Sequence, residues 1–272
     1  MVALYLRQNK CRTNYGSLLT LLCICQSICL VFEFANIAFA VNAYFFDHPI
    51  YRSTCFLVIF PYVFFNVFQA DVVAAISVDF FLCVFFPLQY SHFNRKLYIP
   101  LLLFFPFAHG VYVVLCGFIY MDDLQIRFCN PPSALNLRVN SINYTILLAV
   151  ASVTLLAYTA SFTSLYFKAQ ARRSVKIERK AMKSVKVLVF VYLLNRFTVI
   201  LFANLINILG VSDEGKSVIY DVILVFALIC YSQNFYISYY RSPEYRKMLN
   251  AQLGLYRASG SAVFDLKLKT VG

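Results

Sequence analysis

The sequence predicts an all-α protein that crosses a membrane several times. Hydrophobic residues make up 61% of the 272 residues and charged residues only 13%, whereas a soluble domain carries about 25% charged residues. Apolar runs of about 20 residues or more recur along the chain, and each is long enough to span a bilayer as a helix. Inside lipid the backbone must bond within the protein, and runs this long and uniformly apolar favour helices over barrel strands.

The apolar runs divide the chain into six predicted membrane spans, a surface helix and a tail. Residues 242–253 are predicted to form the short amphipathic helix, which lies along the membrane surface. The transmembrane domain is predicted over residues 1–254, and residues 255–272 form a cytoplasmic tail. The six spans are 15–46, 55–88, 97–120, 142–167, 187–209 and 217–240.

The net charge of +12 is distributed in a way that indicates membrane topology rather than nucleic-acid binding. Lysines and arginines gather in every second connecting segment, and such basic segments stay on the cytoplasmic side. Both termini are therefore predicted to be cytoplasmic. The most basic segment lies between the fourth and fifth spans. It suits anionic inner-leaflet lipid or the acidic surface of an effector, and it is equally consistent with a solvated topology signal.

The sequence offers no basis for catalysis. It contains no nucleophile–base pair, zinc-ligand spacing, phosphate loop or dinucleotide fingerprint. The histidines His48, His92 and His109 are scattered along the chain. We therefore expect a protein that recognises a ligand, with no enzymatic activity, no cofactor, no metal and no nucleic acid.

The end of the second span carries the most specific motif in the chain. Five residues match the rhodopsin-like receptor pattern of Asp-Arg-Tyr, an aliphatic residue and Pro-Leu-x-Tyr, namely Asp79, Val84, Pro87, Leu88 and Tyr90. Cys55 also precedes Asp79 by the interval that separates the extracellular cysteine from the acid in those receptors. The sequence therefore resembles a rhodopsin-like seven-helix receptor.

Three further segments resemble the nematode serpentine chemoreceptors, most closely the Srsx type. Residues 129–132 are similar to that type's second extracellular loop, and residues 233–236 and 242–246 are similar to its last helix and tail. The resemblance runs from about residue 6 to residue 254. Residues 7–16 correspond to the basic loop that follows the first helix of the family. We therefore expect a rhodopsin-like bundle in which six of the seven helices are present and the first is missing.

The resemblance also places a switch and a G-protein contact at the cytoplasmic face. In the family, the arginine of the motif pairs with the acid at rest and contacts the G protein when active. Phe80 replaces this arginine, so Asp79 is either part of a switch or only a helix-end acid. The residues expected in the switch or the G-protein contact are Asp79, Phe80, Phe81, Pro87, Tyr90, Arg172, Arg173, Lys176, Lys180, Lys183 and Asn234.

The same register implies a disulfide between Cys55, at the outer end of the second span, and Cys129, in the following outer loop. Both positions face an oxidising compartment in the predicted topology, which permits the bond. The alternative is a pair of free thiols.

Polar and charged groups within the outer halves of the spans are the candidates for a ligand pocket, because charge inside a bilayer is costly and usually functional. Arg196 is expected either to bind an anionic ligand group or to pair with Asp71 or Glu33. Tyr62 stands where amine receptors place their counter-ion carboxylate, and Asn66 lies one turn deeper, which disfavours a simple cationic amine. The candidate pocket residues are Tyr62, Asn66, Arg196, Tyr220 and Asp221.

The favoured function is that of a chemosensory G-protein-coupled receptor in the plasma membrane, with the sensory cilium as one such location. It is expected to bind a small molecule from the extracellular side and to signal through a heterotrimeric G protein. A six-helix transporter or channel is one alternative, because the even span count and the intramembrane charges allow it. A truncated receptor product that does not signal is the other.

Overall fold

A computed structural model of the chain describes residues 14–46, 49–126 and 129–171, together with a few single helical positions between 198 and 250. The predicted spans 187–209 and 217–240, the surface helix 242–253 and the tail 255–272 lie outside the described residues, apart from those single positions. In chain order the elements are α1 (Asn14–Phe46), β1 (Ile50–Tyr51), α2 (Arg52–Phe85), α3 (Pro87–His92), α4 (Arg95–Ile119), β2 (Gln125–Ile126), α5 (Pro131–Ala134) and α6 (Leu137–Ala171).

Four helices in the described part of the chain are long and apolar enough to cross a membrane. They are Ser17–Asn42, Arg52–Phe85, Arg95–Ile119 and Leu137–Phe167. These lengths exceed the roughly 20 residues that a bilayer requires. The prediction of an all-α protein that crosses the membrane several times is therefore confirmed.

Helix α2 is the centre of the described bundle. It contacts α1, α4, α5 and α6, and it is the most buried of the four long helices. By contrast, α4 exposes large apolar side chains, among them Leu97, Leu101 and Phe104. In a bilayer, apolar side chains on the outside of the bundle can contact the lipid acyl chains. These chains are as apolar as leucine, so such exposure carries no hydrophobic penalty.

The second predicted span, 55–88, includes three residues that lie beyond the end of α2. Helix α2 ends at Phe85, and Phe86 has φ −124° and ψ 54°. Proline disfavours the α conformation in the residue before it, so Pro87 ends the helix at this point. Pro87 itself lies at the start of α3, where its missing N–H carries no penalty.

Helix α6 begins before the predicted fourth span, 142–167. It starts at Leu137, and the side chain of Asn136 accepts a hydrogen bond from the Arg138 amide at 3.0 Å. This is the bond of a helix N-cap. Hydropathy alone placed the boundary later, because Arg138 and Asn140 are polar although both belong to the first turns of the helix.

Two glycines allow α4 to approach α2 closely. A Cβ atom at Gly110 would lie 2.8 Å from the Phe64 ring, and one at Gly117 would collide with the Phe56 ring. Glycines seven residues apart lie on the same face of a helix. Small residues at such an interface let two membrane helices pack at short distance.

Candidate functional site

A disulfide joins α2 to the loop that follows α4. Cys55 and Cys129 are bonded, and their Cα atoms are 5.5 Å apart. The predicted pairing is therefore confirmed, and the alternative of two free thiols at these positions is wrong. We call this end of the bundle the disulfide end.

Arg52 organises the polar contacts of the disulfide end. Its guanidinium donates to both carboxylate oxygens of Asp122, at 2.7 and 2.6 Å, and to the backbone carbonyl of Ser133 at 3.1 Å. Asn136 adds a hydrogen bond to Asp122 at 2.9 Å. The β1–β2 pair, with Ile50 opposite Ile126, lies beside these contacts. The loop is thus fixed to the first turn of α2.

Tyr62 lies two turns below Cys55 and is almost completely buried, at 1% exposure. Its hydroxyl donates a hydrogen bond to the carboxylate of Glu33 on α1. The side-chain amide of Asn36 donates to the other oxygen of the same carboxylate at 2.9 Å. The sequence argument against a cationic amine considered only Tyr62 and Asn66 of α2, whereas the folded chain brings a carboxylate from α1 to the Tyr62 hydroxyl.

Asn66 and Gln69 extend the polar surface of α2 away from the disulfide end. Gln69 donates to the Asn66 side chain at 3.4 Å. Residues 62, 66 and 69 have the spacing of a single helix face. We call this set of three side chains the polar column. Tyr62 and Asn66 were identified from the sequence, whereas Gln69 and the contact between Tyr62 and Glu33 were not.

Asp71 forms a second buried polar contact, between α2 and α4. Its carboxylate lies 2.7 Å from Nδ1 of His109, and both side chains are nearly inaccessible to solvent. The ring of Phe105 stacks against His109 with a centroid separation of 5.9 Å. Sequence analysis treated His109 as one of three scattered histidines and considered only Arg196 as a partner for Asp71. The contact with His109 ties α4 to the central helix.

Asp79 lies at the opposite end of α2 and is buried, at 2% exposure. One carboxylate oxygen accepts hydrogen bonds from the Tyr90 hydroxyl at 2.8 Å and from the Tyr98 hydroxyl at 3.0 Å. Tyr90 belongs to α3 and Tyr98 to α4. The acid therefore links three helices. We call these three residues the Asp79 cluster.

Phe80 points its ring toward α6. The centroid of the Phe80 ring lies 6.1 Å from that of Tyr158 and 5.6 Å from that of Phe162. Phe81 instead stacks on Phe85 within α2, at 4.4 Å. The residue that replaces the arginine of the motif thus forms an apolar contact between α2 and α6.

Several predicted site residues cannot be placed. The pocket candidates and the predicted switch or G-protein residues that lie outside the described residues are Arg196, Tyr220, Asp221, Arg172, Arg173, Lys176, Lys180, Lys183 and Asn234. The described candidates separate into two groups. Tyr62 and Asn66 lie in the half of α2 nearer the disulfide, whereas Asp79, Phe80, Phe81, Pro87 and Tyr90 lie at its other end.

Comparison with known families decides the class of protein. Residues 1–253 match the family model described as serpentine type 7TM GPCR chemoreceptor Srsx. The chain belongs to the Srsx serpentine chemoreceptor family. A search of the curated proteins gives no match.

The Srsx membership confirms the resemblance found in the sequence. It also makes the chain a multi-pass membrane protein of a receptor family, which is not a class of enzymes. Within the Srsx chain, Glu33, His109 and Tyr98 are among the site residues whose roles sequence reasoning missed. Glu33 was visible only as a charge inside an apolar run, and Tyr98 had no signal at all, because one tyrosine in the first turn of a helix is common.

Proposed function

We propose that this Srsx protein binds a small molecule from the extracellular side and signals by rearranging its helices. The single observation that supports this most is the layout of α2. This central helix carries the polar column, which begins at Tyr62 in the half nearer the disulfide, and the Asp79 cluster at its other end, about 25 Å from Tyr62 at 1.5 Å per residue. A shift of one rigid helix would alter both ends together.

The proposed ligand site includes Tyr62 and Asn66. Both lie toward the disulfide end, and the Tyr62 hydroxyl donates a hydrogen bond to Glu33 on α1. A polar group on the ligand that competes for Tyr62 or Glu33 would weaken the contact between α1 and α2. Such a ligand shifts the population of helix arrangements only by its difference in affinity for them. We propose Arg196, Tyr220 and Asp221 as further pocket residues from their positions in the sequence.

The proposed signalling surface is at the Asp79 end. Leu88 on α3 has 81% of its surface exposed, and the neighbouring Phe85 and Phe86 are exposed too. Such apolar side chains just beyond a membrane helix suit contact with a partner protein. We propose that a heterotrimeric G protein contacts this surface, together with the basic segment that follows α6 and Asn234.

The proposed topology places the disulfide end outside the cell and the Asp79 end in the cytoplasm. A disulfide persists in an oxidising compartment, which supports this direction. The basic connecting segments favour the same direction and place both termini inside. We propose the plasma membrane as its location, including that of a sensory cilium.

The proposed function is tested in cells that express the chain and a reporter of G-protein activation. A panel of volatile and water-soluble small molecules is screened, and each hit is repeated with Tyr62→Ala and Arg196→Ala at matched surface expression. Leu156→Ala is the control, because Leu156 is 69% exposed on α6, away from the polar column. The two pocket variants are expected to lose the response and the control to keep it. Unchanged responses in both pocket variants would refute the proposed pocket, and a panel without any response would count against receptor activity.

A further inference from the structure

Glu33 is a buried carboxylate in the apolar part of α1, with only 4% of its surface exposed. A charged side chain near the middle of a membrane helix costs about 2.5 to 3.5 kcal/mol on insertion scales. Residues of this kind are usually paired or functional. The partners of Glu33 therefore determine its role.

The partners found for Glu33 are neutral. Tyr62 and Asn36 each donate one hydrogen bond to its carboxylate. The ion pairs found among the described residues are Arg52–Asp122 and Asp71–His109, and neither includes Glu33. Neutral donors orient a carboxylate but leave its negative charge uncompensated. A cation at this position would compensate the negative charge of the carboxylate.

An acceptor beside Glu33 is also left unpaired. Oδ1 of Asn36, whose amide nitrogen donates to the Glu33 carboxylate, is buried and has no hydrogen-bond partner in the described part of the chain. Buried acceptors of this kind are rare, because leaving one unpaired costs about 1 to 3 kcal/mol. An ammonium group carries three donors and no acceptor, so it is the chemical complement of such a site.

An aromatic pair adjoins the carboxylate. Phe32 precedes Glu33 on α1, and its ring stacks on that of Tyr62 with centroids 6.2 Å apart and an angle of 9° between planes. The faces of aromatic rings attract cations, by about 0.5 to 2 kcal/mol depending on desolvation. A carboxylate, an unpaired acceptor and aromatic faces thus lie together between α1 and α2.

We infer that Glu33 anchors the positively charged amine of a small ligand, with Asn36 and Tyr62 orienting the carboxylate. This inference rests on the proposed ligand site and names the ligand class for it. It also reverses the expectation drawn from Tyr62 and Asn66, since the acid comes from α1 rather than from α2. When the amine binds, the Tyr62 hydroxyl loses or shares its acceptor, and the contact between α1 and α2 changes.

The test uses the purified full chain in detergent micelles and a panel of matched probes. Each skeleton is presented as an amine, an alcohol and a carboxylic acid, for example 2-phenylethylamine, 2-phenylethanol and phenylacetic acid. Binding is measured as the rise in Tm over a range of probe concentrations. On at least one skeleton, the amine is expected to raise the Tm where its alcohol and acid do not.

Glu33→Gln is the decisive variant, because glutamine keeps an oxygen to accept from Tyr62 but removes the charge. It is expected to weaken amine binding by about tenfold or more, as loss of one member of a buried charge pair does. Asp71→Asn is the matched control, since it removes another buried carboxylate of the membrane region that is paired with His109. This control is expected to lower the Tm and to retain the preference for the amine.

Two outcomes would overturn the inference. One is that no amine raises the Tm more than its matched alcohol does on any skeleton, and the other is that the preference for the amine survives in Glu33→Gln.

Asn36→Leu provides a second variant that leaves the charge in place, and a several-fold loss of amine binding is expected from it. Reporter assays in cells separate this result from the proposed function. Amine binding without G-protein activation contradicts signalling alone, whereas activation only by alcohols or acids contradicts the cation site alone.

Discussion

The Asp79 carboxylate accepts a hydrogen bond from the Tyr90 hydroxyl at 2.8 Å, across the interruption between helices α2 and α3 at Phe86. The same oxygen accepts from Tyr98 at 3.0 Å. A buried acid therefore joins α2 to the short helix α3 and to the first turn of α4. We expect this cluster to hold the resting arrangement, because a rearrangement of these helices has to break at least one of the two bonds.

Tyr98→Phe is expected to destabilise the resting state. It removes one donor from a buried carboxylate, which costs about 1 to 3 kcal/mol. A change of about 1 kcal/mol alters a two-state population by about fivefold. The variant should therefore raise the basal signal in a G-protein reporter assay and lower the Tm of the purified chain. Tyr166→Phe is the control, because Tyr166 is 62% exposed on α6. An unchanged basal signal in Tyr98→Phe would show that the cluster is structural only.

Phe80→Ala is expected to loosen the contact between α2 and α6. The variant loses the ring contacts with Tyr158 and Phe162. Deletion of a core phenylalanine costs about 3 to 5 kcal/mol, and less is expected here because Phe80 is only half-buried. Circular dichroism during heating should show a lower Tm, and Phe80→Leu should recover part of the loss. A Tm equal to that of the wild type would mean that the packing of Phe80 on α6 contributes nothing to stability.

Removal of the disulfide is expected to destabilise the chain. The bond closes a loop with a sequence separation of 74 residues, for which chain entropy predicts a contribution of up to about 4 kcal/mol. Cys55→Ser with Cys129→Ser should lower the Tm. Cys83→Ser, which removes an exposed free thiol, is the control. Mass spectrometry of unreduced peptides should find Cys55 and Cys129 linked, and finding both alkylated would contradict the assignment.

Gly117→Ala is expected to separate α4 from α2. Its new methyl group would meet the Phe56 ring, and the Leu135 side chain lies 3.1 Å away. Overpacking of this kind costs about 1 to 3 kcal/mol. The measured free energy of unfolding should fall by such an amount in Gly117→Ala. Leu115→Ala, at a position with 55% exposure on the same helix, should change it by no more than about 0.5 kcal/mol. Equal effects of the two substitutions would argue against the close approach.

The sequence predicted the membrane class and the disulfide because both depend on signals that are local or in fixed register. Length and apolarity identify the spans, and the interval from Cys55 to Asp79 aligns them with the receptor pattern. The helix end at Phe85 could also have been placed, since Pro87 restricts the residue before it.

The contacts of Glu33 and Tyr98 could not be predicted in the same way. A helix that is apolar all round gives no indication of which face meets a neighbour. Whether Glu33 reaches Tyr62 therefore depends on the rotation of α1 against α2, which the sequence does not specify. The same reason explains why His109 was not recognised as the partner of Asp71.

Hydrogen exchange of the purified chain, with and without an activating odorant from the cell screen, tests the central claim most directly. The claim is that α2 couples the polar column to the Asp79 cluster. With odorant bound, backbone amides in residues 86–98 are predicted to exchange faster, although they lie about 25 Å or more from Tyr62 along the helix axis. In Tyr62→Ala this change should be absent. Altered exchange near the disulfide end, with residues 86–98 unchanged, would contradict the account.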